Sequence, residues 1–205
     1  MTQKPRLTYF DAPVSRGEEC RLALHLAGID FEDQRIPFAQ WPAMKAQTPY
    51  GSLPTFELPG KPVLAQTNAI LTLIGRRHGL HPQDDFEAAR HEAMMNHVED
   101  LRTAISPTMR MADPEEKRKA RVALAETTIP AWATHAESQL DGDGPFFGGA
   151  TLHVVDLKLH MLLRWLRGGA LDHIPASIIE AYPKLMRVHD AVRDHAAIRA
   201  FYAPR

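Results

Sequence analysis

Two short stretches carry residue types suited to holding a small, peptide-like anion. The first is YGSLPTFELPGK (50–61), in which Pro54 stands directly ahead of TFEL, a segment that alternates and branches like a β-strand. Proline lacks a backbone donor and avoids the middle of a sheet, so its place behind a Gly-Ser turn needs a reason. A cis Leu53–Pro54 peptide would turn the chain sharply and aim the Leu53 N–H and C=O away from the sheet. There they could bind an extended peptide as an added strand. A trans proline that merely starts an edge strand is the other reading, and these residues alone do not separate the two. The second stretch is QTNAI (66–70), which opens a helical pattern. The free N–H groups and dipole of a helix start favour an anion. Thr67 reads equally as an ordinary helix cap.

Other chemistries find less support. The 11 histidines invite a metal, but His78 with His81, or His91 with His97, lack cysteine or carboxylate partners at ligand spacing, so no metal site is expected. Cys20 is the 1 cysteine, which excludes an intrachain disulfide and suits a reducing cytosol. A net charge of -1 offers no broad basic field for nucleic acid. The densest charged run, EEKRKAR at 115–121, mixes both signs and reads as a solvated helix face. The opening MTQKPRLTYF has no apolar core of a secretory signal, and no apolar run approaches the length of a membrane span.

The elements that must position these residues fall into two textures. RLTYF (6–10) and FEDQRI (31–36) read as strands, with a helix over RGEECRLALHLAG between them. TFEL and PVLA, joined by PGK, read as a hairpin, and TNAILTLIGRRHG (67–79) as a helix closed by Gly79. The order is β-α-β, then β-β-α. Beyond HGLHPQDD (78–85) the strands vanish. Apolar stripes at Met94, Val98, Leu101 and Ile105, at Val155, Leu159, Leu162, Leu163 and Leu166, and at Leu185, Val188 and Val192 each predict a helix. Pro107 should end or kink the first of these, and Asp113 with Pro114 and Glu116 should cap the next helix. The expected fold class is therefore α/β plus all-α, with an α/β unit at 1–80 and a helical unit at 86–205.

The segments LTYF…SRGEECRL, FEDQRI…QWPAMK, YGSLPTFE and QTNAI, in this order, resemble the N-terminal domain of a cytosolic glutathione S-transferase of the tyrosine type, nearest to the sigma, mu, pi and alpha classes. The helical half and GGATLHVVDLKL fit the same family. The resemblance implies a thioredoxin-like domain with a cis proline before its third strand, followed by a helical domain. It implies glutathione as co-substrate, no metal, a small apolar electrophile as second substrate and a cytoplasmic homodimer.

The reaction this implies needs a thiolate. A free thiol has a pKa of about 8.5, and lowering it by ~2 units takes roughly 2.7 kcal/mol of selective stabilisation. One hydrogen bond to a charged acceptor contributes roughly 1.5–3 kcal/mol, so a single good donor nearly suffices. By resemblance that donor is Tyr9, at the end of the first strand. The loop DAPVS is longer than usual by about one residue, which leaves Ser15 as an alternative donor or a helix cap; Arg16 matches the family arginine near the thiol. Cys20 lies too deep in its helix for the cysteine-type enzymes and reads as a packed core thiol. Gln66 and Thr67 match the γ-glutamyl site, Trp41 and Lys45 the glycine-carboxylate site, Ser52 a further anchor, and Leu53 and Pro54 the cysteinyl contact. Asp100 matches an acid that reaches a partner subunit's γ-glutamyl ammonium, and Tyr50 an aromatic inserted into that partner. Phe10, Met109, Met111, Phe201 and Tyr202 are the expected walls of the electrophile pocket. His153 stands where relatives carry a hydroxyl helix cap three residues ahead of Asp156. The alternatives are a glutathione-dependent isomerase or peroxidase on the same site, or a non-catalytic ligand-binding module.

Overall fold

A computed structural model describes residues 4–140 and 142–203. Four strands, β1 (Arg6–Phe10), β2 (Glu32–Ile36), β3 (Thr55–Glu57) and β4 (Leu64–Ala65), form one sheet in the order β2-β1-β3-β4. β1 and β2 run parallel, which requires a crossover, and α1 (Ser15–Leu26) supplies it. β3 and β4 are antiparallel to their neighbours. The hairpin is shorter than expected, β4 retaining only Leu64 and Ala65 of PVLA. The Leu53–Pro54 peptide is cis. Between β2 and β3 the chain makes a run of short helical turns that includes α2 (Trp41–Met44).

The remaining helices are α3 (Thr67–Arg77), α4 (Asp85–Ile105), α5 (Pro114–Ala123), α6 (Ile129–Ser138), α7 (Val154–Arg167), α8 (Pro183–Asp194) and α9 (Ala196–Tyr202). Their ends follow local chemistry. Asp84 accepts from the N–H groups of Phe86 and Glu87 at the start of α4 (3.0 and 2.9 Å). Asp113 does the same for Glu115 and Glu116 at α5 (2.8 and 2.9 Å). α4 gives way to tighter turns at Ser106, immediately before Pro107, as its missing donor demands. All three apolar stripes are buried.

One hydrophobic cluster joins the two halves, from Leu7, Leu22 and Phe56 through Met95 and Leu101 to Leu159 and Val188. α1 is the element they share: it packs on α3 and on α7. Covered from several sides, it buries Glu18, Glu19 and Arg21 along with Cys20 and Leu22. Two local expectations are corrected by the helix ends. Gln66, at φ 72, holds the cap position of α3, and Thr67 sits inside the first turn. Val14 caps α1, so Ser15 is its first helical residue rather than its cap.

Candidate functional site

Strand register gathers the chemistry at one end of the sheet. Thr8 pairs with Thr55 across β1 and β3, and Thr55 pairs with Ala65 across β3 and β4. The next residue along each chain toward that end is Tyr9, Pro54 and Gln66, so the three stand side by side where β1 finishes. The N-termini of α1 and α3 meet the same end.

Tyr9 is only 6% exposed. Burial pushes its hydroxyl pKa up, against the opposing pull of Arg16, Arg102 and a hydrogen bond with Ser15, so the phenol is a proton-bearing donor at neutral pH. Its ring lies flat against the first turn of α1. A Cβ built on Gly17 would fall 2.0 Å from Cδ1 and 2.2 Å from Cγ of Tyr9. Only a residue without a side chain admits that approach. Ser15 has φ 54, an uncommon conformation for a residue with a Cβ, and such outliers gather at functional sites.

Arg16 donates to Glu99 through Nε and Nη2, at 2.9 and 2.5 Å. Glu99 also accepts from Lys158 (2.5 Å) and Arg102 (3.1 Å). Arg102 and Lys158 in turn hold Glu19 on α1. Burial alone would raise the Glu99 pKa. The cations of Lys158, Arg102 and Arg16 outweigh it and hold the carboxyl at about 2. Three cations and two carboxylates thus tie α1, α4 and α7 together beneath the site.

At the α3 start, Thr67 is buried and its Oγ1 has no partner among the described residues. A buried hydroxyl left open beside free helix N–H groups suits an anionic ligand. Trp41 and Lys45 lie four residues apart, on one side of α2 and the turn that follows, with Lys45 exposed and its stem against Gly51. Ser52 and Leu53 are half-buried on the approach to Pro54. Asp100 and Tyr50 stand apart, each 80% exposed, Asp100 by its side chain.

A cavity of about 440 Å³ opens beside Ser15 and Arg16, walled by Pro13, Val14, Met109, Met161 and Trp165 among others. Of the five residues expected to form the electrophile pocket, Met109 lines it. Phe10 stacks instead on Phe38 (4.4 Å between centroids) and meets Trp41 edge-on. Phe201 and Tyr202 line a different groove on the far side of Pro13, and Met111 lies beyond the turns that close α4. Among the described residues no group of three or more His, Cys, Asp or Glu is placed to hold a metal.

Family models decide what this arrangement belongs to. The model for the glutathione S-transferase N-terminal domain matches residues 5–76, and that for the C-terminal domain matches 99–205. The chain belongs to the glutathione S-transferase family. It is 39% identical to probable glutathione S-transferase 7 of Caenorhabditis elegans over 98% of this chain and 96% of that one. It is 40% identical to glutathione S-transferase 1 of Ascaris suum, over 63% of this chain and 62% of that protein. A solved structure of prostaglandin synthase D from Nilaparvata lugens superposes with a TM-score of 0.86 at 27% identity, covering 98% of this chain and 99% of that one.

Within this member of the glutathione S-transferase family, sequence reasoning passed over Gly17, Glu19, Glu99, Arg102 and Lys158, and the cavity residues Met161, Arg164 and Trp165. A signal existed for two of them. Glu19 lies one turn ahead of the apolar LALHL end of α1, and Lys158 interrupts VVDLKLHMLL. Charges placed inside a buried stripe require each other as partners.

His153 takes the cap position of α7. The Asp156 carboxylate accepts from the N–H groups of His153 (2.8 Å) and Phe147 (2.7 Å). The reciprocal half is poorly made: the Asp156 N–H turns to the His153 carbonyl at 3.1 Å, and among the described residues the buried His153 Nδ1 has no hydrogen-bond partner.

Proposed function

We propose that this protein joins the thiolate of glutathione to small apolar electrophiles, with the Tyr9 hydroxyl as the hydrogen-bond donor that stabilises the thiolate. The observation that carries this reading is the buried Tyr9 side chain, packed on the first turn of α1 at Gly17 with Ser15 and Arg16 beside it at the rim of an apolar cavity. Glutathione would lie along the end of the sheet. Its γ-glutamyl group would meet Gln66 and the open Thr67 hydroxyl at α3, its cysteinyl amide the backbone of Leu53 ahead of Pro54, and its glycine carboxylate Trp41 and Lys45, with Ser52 alongside. Arg16, fixed by Glu99, adds positive potential near the thiol. The thiolate adds to the electrophile in the cavity and the product is a thioether. Two exposed residues, Tyr50 and Asp100, would complete the site across a two-fold homodimer, which a reducing cytoplasm would house. No step in this scheme calls on a metal.

The test is a titration of thiolate absorbance on the glutathione-loaded protein, with Tyr9→Phe and Ser15→Ala alongside. The bound thiol should titrate about 2 units below the free one, and Tyr9→Phe should restore most of that shift, because one charge-assisted hydrogen bond is worth roughly 1.5–3 kcal/mol. A lowered pKa that survives Tyr9→Phe and vanishes in Ser15→Ala moves the role to Ser15. An unshifted pKa, or no binding, overturns the reading. A glutathione-dependent isomerase on the same site is the second reading, favoured by the likeness to the prostaglandin synthase D structure. An isomerase returns glutathione unconsumed, so counting free thiol before and after turnover separates the two.

A further inference from the structure

Arg121, in the last turn of α5, is only 1% exposed, yet no buried carboxylate meets it. Its ion pair among the described residues is with Asp172 at 3.3 Å, an exposed carboxylate that Lys117 also holds. A buried guanidinium balanced only from the surface is a costly way to join helices, since an apolar side chain of similar size often fills such a space at no loss of stability. The reason for its presence lies in what it grips.

Each nitrogen has an acceptor of its own. Nε donates to Thr108 Oγ1 and Nη2 to Met109 Sδ, both at 3.1 Å and both in the turns Ser106–Arg110 that close α4. Nη1 donates to the Asp172 carbonyl at 3.3 Å, in the loop that follows α7. These two segments are walls of the cavity beside Ser15: Ser106 and Met109 line it from one, Gly168 and Ala170 from the other. Arg121 does not line the cavity and stands behind both. Neither wall is stiff by itself. A methionine has three rotatable bonds and adapts to any gap unless its sulfur is held. The loop bends through positive φ at Gly169 (69°) and at His173 (65°), and the second of these carries a Cβ. Such a conformation persists only where its surroundings fix it, and Arg121 grips the residue next to His173.

We propose that Arg121 is a positioning residue for the electrophile cavity. From behind the wall it pins Met109 and the loop after α7 in one mutual position, and so sets the width of the space that receives the apolar group. The proposal rests on the transfer reading above and deepens it by naming what holds the wall of that site. A planar fork is suited to this task, because three acceptors met at once fix direction as well as distance.

The probes are S-methylglutathione and S-hexylglutathione, which share every glutathione contact and differ in the length of chain that lies in the cavity. Their dissociation constants, measured by calorimetry, need no turnover. In the unmodified protein the hexyl compound should bind roughly 50-fold more tightly, most of its additional methylene groups being buried. Arg121→Met keeps the volume and removes the fork. It should cost the hexyl compound roughly tenfold, the loss of contact for about two methylene groups, and leave the methyl compound within about twofold. The bound-thiol pKa should not move. Arg121→Lys should fall between, since a point charge cannot meet all three acceptors. A purely structural arginine would lower the urea midpoint and leave the ratio of the two constants unchanged. If Arg121→Met does not fold, Thr108→Val removes the acceptor of Nε alone and should lower the ratio about threefold. An unchanged ratio in the folded variant, or a hexyl compound that binds no better than the methyl one in the unmodified protein, would overturn the role of Arg121 and leave the transferase intact. If neither compound binds and the thiol is unshifted in the titration above, the transfer reading itself falls.

Discussion

Replacing Gly17 by alanine tests whether the placement of Tyr9, rather than its mere presence, lowers the thiol pKa. Gly17 has no left-handed backbone to preserve, so the methyl group itself is the whole perturbation. It would land 2.0, 2.2 and 2.7 Å from Cδ1, Cγ and Cβ of Tyr9. Carbon atoms rest at about 3.5–4.0 Å, so ring and helix must separate by roughly 1.5 Å at the closest pair. Tyr9 is buried on an interior strand of the sheet, so its ring has little room to swing away. A 1 Å misplacement of a positioned group can cost on the order of 100-fold, and one charge-assisted hydrogen bond is worth roughly 1.5–3 kcal/mol. The bound thiol of Gly17→Ala should therefore titrate about 1–2 units above that of the unmodified protein, with kcat/KM down about 10- to 100-fold.

Overpacking costs roughly 1–3 kcal/mol of fold stability, and alanine recovers about 1 kcal/mol over glycine inside a helix, so the variant should fold with a modestly lowered melting temperature. The assay is again thiolate absorbance against pH, read beside circular dichroism. Because the change is argued to act through Tyr9, adding it to Tyr9→Phe should raise the thiol pKa no further. A folded Gly17→Ala protein with an unaltered bound-thiol pKa would refute the reasoning. So would a second, additive rise on the Tyr9→Phe background, since the first turn of α1 would then be acting independently.

Two further outcomes follow from groups beneath and beside the site. Glu99 is held at about 2 while an unfolded glutamate titrates near 4, so its contribution is complete above the ordinary carboxylate range and is lost as pH falls toward 2. The side chain is 26% exposed, and its contribution should be about 2–3 kcal/mol. Glu99→Gln should lower the urea midpoint at pH 7 and flatten the decline between pH 5 and 3; an unchanged acid profile would count against the network. His153→Ser would place a hydroxyl where the imidazole leaves the Asp156 N–H without a side-chain acceptor, and should raise unfolding free energy by about 1 kcal/mol. No gain in denaturant midpoint would mean that the His153–His91 ring contact at 5.1 Å is worth as much as the cap.

What was legible in the sequence was whatever depends on near neighbours in the chain. Period and punctuation marked β1, α1, α3 and the stripes of α4, α7 and α8, and Pro54 before TFEL marked the turn that the fold makes cis. The cap of α3 was misplaced by one residue, because a positive φ at Gln66 leaves no trace in residue type. The cavity was poorly legible for a different reason. Its walls come from the loop before α1, the end of α4 and the outer side of α7, and which side of α7 faces α1 is set by packing between distant segments. Phe201 and Tyr202 are close enough in sequence to the end of the helical half to suggest a wall, but α9 packs against α1 on the other side of Pro13.

The charged cluster shows how such long-range choices still impose themselves on residue type. Glu19 on α1 can be buried only because Arg102 on α4 and Lys158 on α7 arrive together, and Arg102 and Lys158 need Glu99 as well. Removing Glu19 or Glu99 strands cations that are already in excess, a penalty of about 3–5 kcal/mol for a fully buried pair, so the three helices are locked to one mutual position. That position also sets Arg16 beside Tyr9 and leaves Arg102 Nε with no acceptor among the described residues. The polar floor that orders the thiol end of the site is thus the same object that leaves excess positive charge on the electrophile side. A chain that needed only an apolar pocket could have joined these helices with leucine.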